Sequence, residues 1–141
     1  MNEAPEAVAD LLNTGVIDLA QLHGGEDEEY IRALRGLTDK PLIKAFRVDG
    51  PADLEKARHS SANYVLLDNG AGGTGTAFDW ALLKGFDRPY FLAGGLGPGN
   101  VRQAIKALAP FAVDVSSGIE TNGGKDYTKM TAFVNAARHE E

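Results

Sequence analysis

Short apolar runs alternate with amphipathic stretches along the whole chain. The runs lie at Ile17–Leu22, Leu42–Val48, Tyr64–Leu67, Tyr90–Ala93 and Phe111–Val115, and each soon gives way to Gly, Asp or Asn, as strands ending in polar turns do. Between them, helical spacing relates Tyr30, Ile31, Leu34 and Leu37, then Leu54 and Ala57, then Trp80 and Leu83, then Val101, Ile105 and Leu108. A further helix precedes the first strand, with Val8, Leu11 and Leu12 on one side, Pro5 in its first turn and Gly15 just past its end. Another closes the chain, where Tyr127, Met130, Phe133, Val134 and Ala137 form a stripe expected to face the core. The runs are nearly continuously apolar, which suits a parallel sheet covered on both faces. The pattern therefore predicts an α/β chain of about five parallel strands and six helices, in a single domain over residues 1–141.

The repeat has a measurable period. Stepping from Leu19 to Leu42, Val65, Phe91 and Val113 gives offsets of 23, 23, 26 and 22 residues. Eight such units need about 190 residues, near the lower limit for a closed eight-stranded barrel. Only five are present, with no linker or low-complexity tract, so the sheet is expected to be open or to be part of a barrel.

Charge and composition narrow the partners. The net charge is −6, with 20 acidic against 14 basic residues, which argues against a sequence-independent grip on nucleic acid or an anionic membrane. No apolar run is long enough to span a membrane, and the opening MNEAPEAVAD is acidic where a secretory signal is basic, so a cytoplasmic protein is expected. Zero cysteines exclude disulfides and thiolate metal sites, and His23, His59 and His139 are too far apart in sequence to suggest a metal centre.

Candidate chemistry crowds immediately after the strands, where parallel α/β folds place their ligands. AGGLGPGN, residues 93–100, offers Gly94 and Gly95 for close backbone approach to an anion, with Pro98 setting the first turn of a helix. DVSSGIE, residues 114–120, adds the hydroxyls of Ser116 and Ser117 and further backbone donors through Gly118. Two such loops suggest one phosphate, while glycines that merely make tight turns are the plainer account of either loop alone. Asp68 ends the third run before the glycine-rich stretch 70–75, where a partly buried carboxylate could serve as a general acid or be an ordinary turn residue. That stretch is not a Walker or dinucleotide fingerprint, since no lysine follows its glycines. On the first run, Gln21 is expected to face inward and His23 to stand at the strand end, where an isolated histidine is more often structural than a base. Lys44 and Arg47 on the second could attract an anion or snorkel at a sheet end.

Taken together, QLHG at 21–24, LLD at 66–68 followed by GGTGTAFDW at 72–80, LAGGLGPGNV at 92–101 and VDVSSGIETNGGKD at 113–126 closely resemble phosphoribosylanthranilate isomerase, a (βα)8-barrel family of tryptophan biosynthesis. The resemblance implies that the five strands are strands four to eight of that barrel, an incomplete TIM barrel, with Met1-Asn2-Glu3 resembling the end of strand three. It also implies an Amadori rearrangement of phosphoribosylanthranilate to its 1-deoxyribulose phosphate isomer without metal or organic cofactor. Matched residue by residue, Asp68 is the general acid, Gly94, Gly95, Ser116, Ser117 and Gly118 hold the substrate phosphate, Asp114 lies near the ribose, and Gly73 and Thr74 belong to a covering loop. The family's base is a cysteine after strand one and its carboxylate-binding arginine also lies upstream. The present chain has no cysteine, so by itself it is expected to be inactive and, through its exposed sheet edge, to self-associate. A different reading of the same pattern is a non-catalytic phosphate-binding module with an open flavodoxin-like sheet.

Overall fold

A computed structural model describes residues 1–68 and 80–138. The chain opens with helix α1 (Pro5–Asn13), whose start is set by proline at its first turn. Its end is a Schellman turn: Gly15 takes φ 78°, the Gly15 amide donates to the Leu12 carbonyl at 3.3 Å and the Val16 amide to the Leu11 carbonyl at 3.0 Å. Then follow β1 (Ala20–Leu22), α2 (Glu28–Arg35), β2 (Leu42–Arg47), α3 (Pro51–Arg58) and β3 (Tyr64–Asp68). After a 3-10 turn at Trp80–Leu83 come β4 (Tyr90–Ala93), α4 (Val101–Leu108) and β5 (Ala112–Val113). A second 3-10 turn, Ser117–Ile119, leads into a hairpin of β6 (Glu120–Thr121) and β7 (Gly124–Lys125), and α5 (Tyr127–Arg138) follows it. The start of α2 is capped by Asp27, whose carboxylate accepts from the Tyr30 amide at 2.9 Å, with Glu28 and Glu29 complementing the helix dipole.

The five long-range strands form one parallel sheet in the order β1-β2-β3-β4-β5. Their register makes Gln21, Ile43 and Tyr64 one row, and Arg47, Asp68 and Ala93 another nearer the strand ends. Strand order that follows chain order has no reversal, and a doubly wound sheet needs one to send helices to opposite faces. The flavodoxin-like arrangement is therefore overturned by the topology.

Side-chain packing says the same. Leu42, Phe46, Val65, Leu67, Tyr90 and Leu92 pack with residues from α1 to α5, in two clusters divided near α2 and α3. The alternate residues Ile43, Leu66 and Ala93, with Ala45, Tyr64 and Phe91 against them, form a third cluster that contains strand residues only. The expectation of a sheet covered on both faces is thus corrected: among the described residues helices cover one face, and the other is apolar without a helix on it.

Two helix expectations also change. Among the described residues there are five α-helices rather than six, because the Trp80 and Leu83 positions lie on a four-residue 3-10 turn. On α5 the expected core stripe is mostly exposed: Phe133 is buried and Ala137 packs against the core, but Tyr127, Met130 and Val134 are 81%, 40% and 45% exposed. Helical period records which residues share a side, and among the described residues no element covers this one. Arg88 secures the far end of α3, its guanidinium donating to the carbonyls of Ala57 and Ser60 at 3.0 and 2.8 Å and also to that of Ala62. No helix among the described residues is long and apolar enough to cross a membrane.

Candidate functional site

The C-terminal ends of β3, β4 and β5 enclose a pocket of about 100 Å³. Its wall is Asp68 on one side, the Ala93–Leu96 loop on the second and the Asp114–Gly118 loop on the third. Seven residues singled out from sequence, Asp68, Gly94, Gly95, Asp114, Ser116, Ser117 and Gly118, therefore meet in one place, although they come from three separate strand ends.

The loop geometry explains why these positions are glycine. Gly94 and Gly95 take φ 89° and 67°, two consecutive left-handed residues that side chains would strain. Gly118 answers to space instead: a Cβ there would lie 1.9 Å from the Leu96 carbonyl oxygen and 2.9 Å from its carbon. The two loops are thus in direct backbone contact. Asn100 ties the first of them together, its side-chain oxygen accepting from the Gly97 amide at 2.9 Å while its amide group donates to the Gly95 carbonyl at 2.8 Å. Pro98 lies in the turn ahead of α4, which begins at Val101, rather than inside that helix.

What the pocket offers a ligand is mainly backbone. Among the described residues, the amides of Gly94, Gly95, Ser116, Ser117 and Gly118 donate to no protein acceptor, whereas neighbouring amides do: Asp114 to the Leu92 carbonyl at 2.8 Å and Ile119 to that of Ser116 at 3.4 Å. Gly94, Gly95 and Gly118 are half-buried and Ser116 and Ser117 exposed, and amides left without a protein acceptor around a small hollow, beside two serine hydroxyls, are the kind of donor set that suits an anion. Asp68 is half-buried at the pocket wall and Asp114 is exposed, so carboxylate oxygens stand beside the donor set.

The other candidates are scattered. Gln21 shares the helix-free face but is exposed, and His23 is exposed after β1; neither lines this pocket. For Gln21 the inward expectation is met in direction only, since nothing covers the side chain. Gly73 and Thr74 lie outside the described residues. Arg47 stands on the helix-free face in register with Asp68 and approaches Asp49 at 3.7 Å. Lys44 does not reach the site. It belongs to the helix-facing set, is 7% exposed, and donates to the Gly24 carbonyl at 3.0 Å, while burial holds its ammonium below its ordinary pKa against the pull of Glu26, Asp27 and Glu28. The 5%-exposed Glu26 accepts the Gly24 amide on both oxygens, at 2.8 and 3.1 Å, so two buried side chains of opposite charge type hold the two peptide units on either side of the Gly24 Cα, on the loop that carries His23.

Sequence reasoning passed over Asn100, the Lys44–Glu26 grip and the β6–β7 hairpin. Only the last had a local signal: Asn122 and Gly123 take φ 54° and 79°, and an Asn-Gly pair is the strongest short hairpin cue.

Comparison with known proteins follows the same lines. The family model described as N-(5'phosphoribosyl)anthranilate (PRA) isomerase matches residues 1–136. N-(5'-phosphoribosyl)anthranilate isomerase of Endomicrobium trichonymphae is 44% identical over 142 residues, covering 98% of this chain and 70% of that protein. The crystal structure of phosphoribosyl anthranilate isomerase from Thermotoga maritima superposes with a TM-score of 0.82 at 37% identity, over 98% of this chain and 70% of the other. A further phosphoribosyl anthranilate isomerase structure, in complex with reduced 1-(o-carboxyphenylamino)-1-deoxyribulose 5-phosphate, superposes with a TM-score of 0.79 at 37% identity, over 97% of this chain and 68% of the other.

Proposed function

The chain belongs to the N-(5'-phosphoribosyl)anthranilate isomerase family, and on that premise we propose that it carries the phosphate-binding and general-acid part of an isomerase site. The reaction is the Amadori rearrangement of N-(5-phosphoribosyl)anthranilate in tryptophan biosynthesis. In this reading the amides of Gly94, Gly95, Ser116, Ser117 and Gly118 bind the substrate phosphate, Asp114 accepts from the ribose hydroxyls, and Asp68 protonates the furanose oxygen as the ring opens. Gly73 and Thr74 cover the substrate, and His23 and Gln21 are secondary candidates for contact with it. The observation that carries the reading is the set of five amides that, among the described residues, have no protein acceptor, around a hollow of about 100 Å³, with the half-buried Asp68 at its wall.

The acid and the phosphate cradle do not complete the chemistry. The five strands are read as strands four to eight of the family barrel, an incomplete TIM barrel in one domain over residues 1–141. Amadori chemistry needs a base to remove the ribose C2′ proton, the family's base is a cysteine, and these 141 residues contain none. Loss of a positioned base removes about 10²–10⁴ in rate, so the chain by itself binds without appreciable turnover. The outer edges of β1 and β5, which pair with no other strand among the described residues, with Phe111 62% exposed beside the latter, favour self-association of the chain alone.

Calorimetric titration of the chain with reduced 1-(o-carboxyphenylamino)-1-deoxyribulose 5-phosphate and with its dephosphorylated counterpart tests the phosphate assignment. Binding that depends on the phosphate is expected; equal affinity for both compounds, or none for either, contradicts it. Light scattering over a concentration series tests the association, for which a monomer throughout is the contrary result.

A further inference from the structure

The hairpin that follows the second donor loop has no part in the reading above, yet one of its side chains reaches back into that loop. Lys125 ends β7, and its ammonium donates to the Ser116 carbonyl at 3.0 Å and to the Glu120 carboxylate at 2.6 Å. The Ser116 carbonyl and the Ser117 amide belong to one planar trans peptide unit, in which C=O and N–H point in opposite directions. Whatever fixes that carbonyl therefore aims that N–H. The ammonium pulls the carbonyl toward the hairpin, so the Ser117 N–H is directed away from it, and charge-assisted bonding to the oxygen also polarises the peptide and strengthens the N–H as a donor.

The lysine itself is held in place. Glu120 orients it, the Glu120 carbonyl accepts from Lys129 Nζ at 2.6 Å, and Thr121 donates to Asp126 at 2.7 Å across the hairpin base. The left-handed Asn122-Gly123 turn sets the return of the chain that brings Lys125 opposite Glu120.

We propose that Lys125 is a positioning residue for anion binding, acting through the Ser116–Ser117 peptide and without touching the ligand. The inference rests on the reading of the Gly94–Gly118 pocket as a phosphate site. On this proposal the hairpin serves to bring a cation to the rear of the donor loop.

Titration of the full 141-residue chain with inorganic phosphate, followed by calorimetry and by the amide resonances of Ser117 and Gly118, tests the proposal. K125M is expected to weaken phosphate binding by about tenfold, the scale of one charge-assisted hydrogen bond to a pre-aimed donor. Its Ser117 amide should lose most of the phosphate-induced shift, while the melting temperature stays close to that of the parent chain. K125R, which keeps a cation within reach of the Ser116 carbonyl, should restore affinity to within about twofold. Phosphate binding by K125M within about twofold of the parent would overturn the assignment of Lys125 and leave the phosphate site standing. A parent chain that binds no phosphate would instead remove the phosphate reading, and this inference with it.

Discussion

The two faces of the sheet are made from alternate residues of the same strands and have different fates. Leu67 and Leu92 point to the helices and are fully buried, whereas Tyr64 and Phe91 on the same strands point the other way, where they pack on Ile43, Leu66 and Ala93 and meet each other and Phe111 at ring-centroid distances of 5.6 to 5.8 Å. Burial on the first face comes from α-helices docking on a hydrophobic surface, which is the main source of stability. The second face is apolar as well, and its rows run toward the strand ends that hold Asp68 and the donor loops. An apolar face that, among the described residues, carries no helix and leads to a pocket at the strand ends is what the interior of a parallel barrel looks like; on the proposed function, one face serves stability and the other the site.

Substitutions can break that division, beginning with the largest effect. Leu92→Ala on the helix face, at 0% exposure, should cost about 3–5 kcal/mol, the usual penalty for an unrelaxed cavity, in urea unfolding. A loss under about 1 kcal/mol would mean that the helix face is not the stabilising one. Gly118→Ala sets a methyl group against the Leu96 carbonyl; it should cost about 2–3 kcal/mol and abolish phosphate binding, because the two loops must separate. Normal phosphate affinity in a folded variant would argue that the loops need not touch.

Lys44 makes the helix face sensitive to pH. Burial lowers the Lys44 pKa from 10.5. Below the folded value the lysine is charged in both states and the penalty is complete; between the folded value and 10.5 only the unfolded chain keeps the proton, so stability rises with pH across that window. Lys44→Met should flatten this rise, measured as unfolding free energy against pH, although it also strands the Gly24 carbonyl and lowers stability at neutral pH. An unchanged slope would contradict the burial of the ammonium. Phe111→Ser on the helix-free face should cost less than about 1 kcal/mol, since the ring is largely solvated, but should reduce self-association in light scattering. The smallest effect runs the other way: the Tyr90 hydroxyl is buried without a hydrogen-bond partner, so Tyr90→Phe should be neutral or stabilising by up to about 1 kcal/mol.

The strands, their parallel pairing and the pocket-lining residues were legible because each left a local mark. Apolar runs of strand length recur at a regular period, and Gly, Ser and Asp gather directly after them. Facing was not legible in the same runs: LIKAFR gives no sign that Lys44 turns to the helices and Arg47 to the opposite side, since both faces of that strand are apolar around them. The α5 stripe failed for a related reason. Tyr127, Met130 and Val134 do share a side of the helix, but burial depends on a neighbour, which periodicity cannot report. Asn100 and Lys125 act through bonds to backbone carbonyls and amides of other loops, and such contacts exist only once the chain has folded.

The central claim is that these residues hold the acid and phosphate parts of the isomerase site while the base is lacking. It is tested most directly by the loss of phosphoribosylanthranilate fluorescence, followed for the 141-residue chain alone and for the same chain joined at its N-terminus to cysteine-bearing βα units of a family member. The account predicts turnover only in the joined protein and its loss in Asp68→Asn. Clear turnover by the 141 residues alone, or full activity in Asp68→Asn, would contradict it.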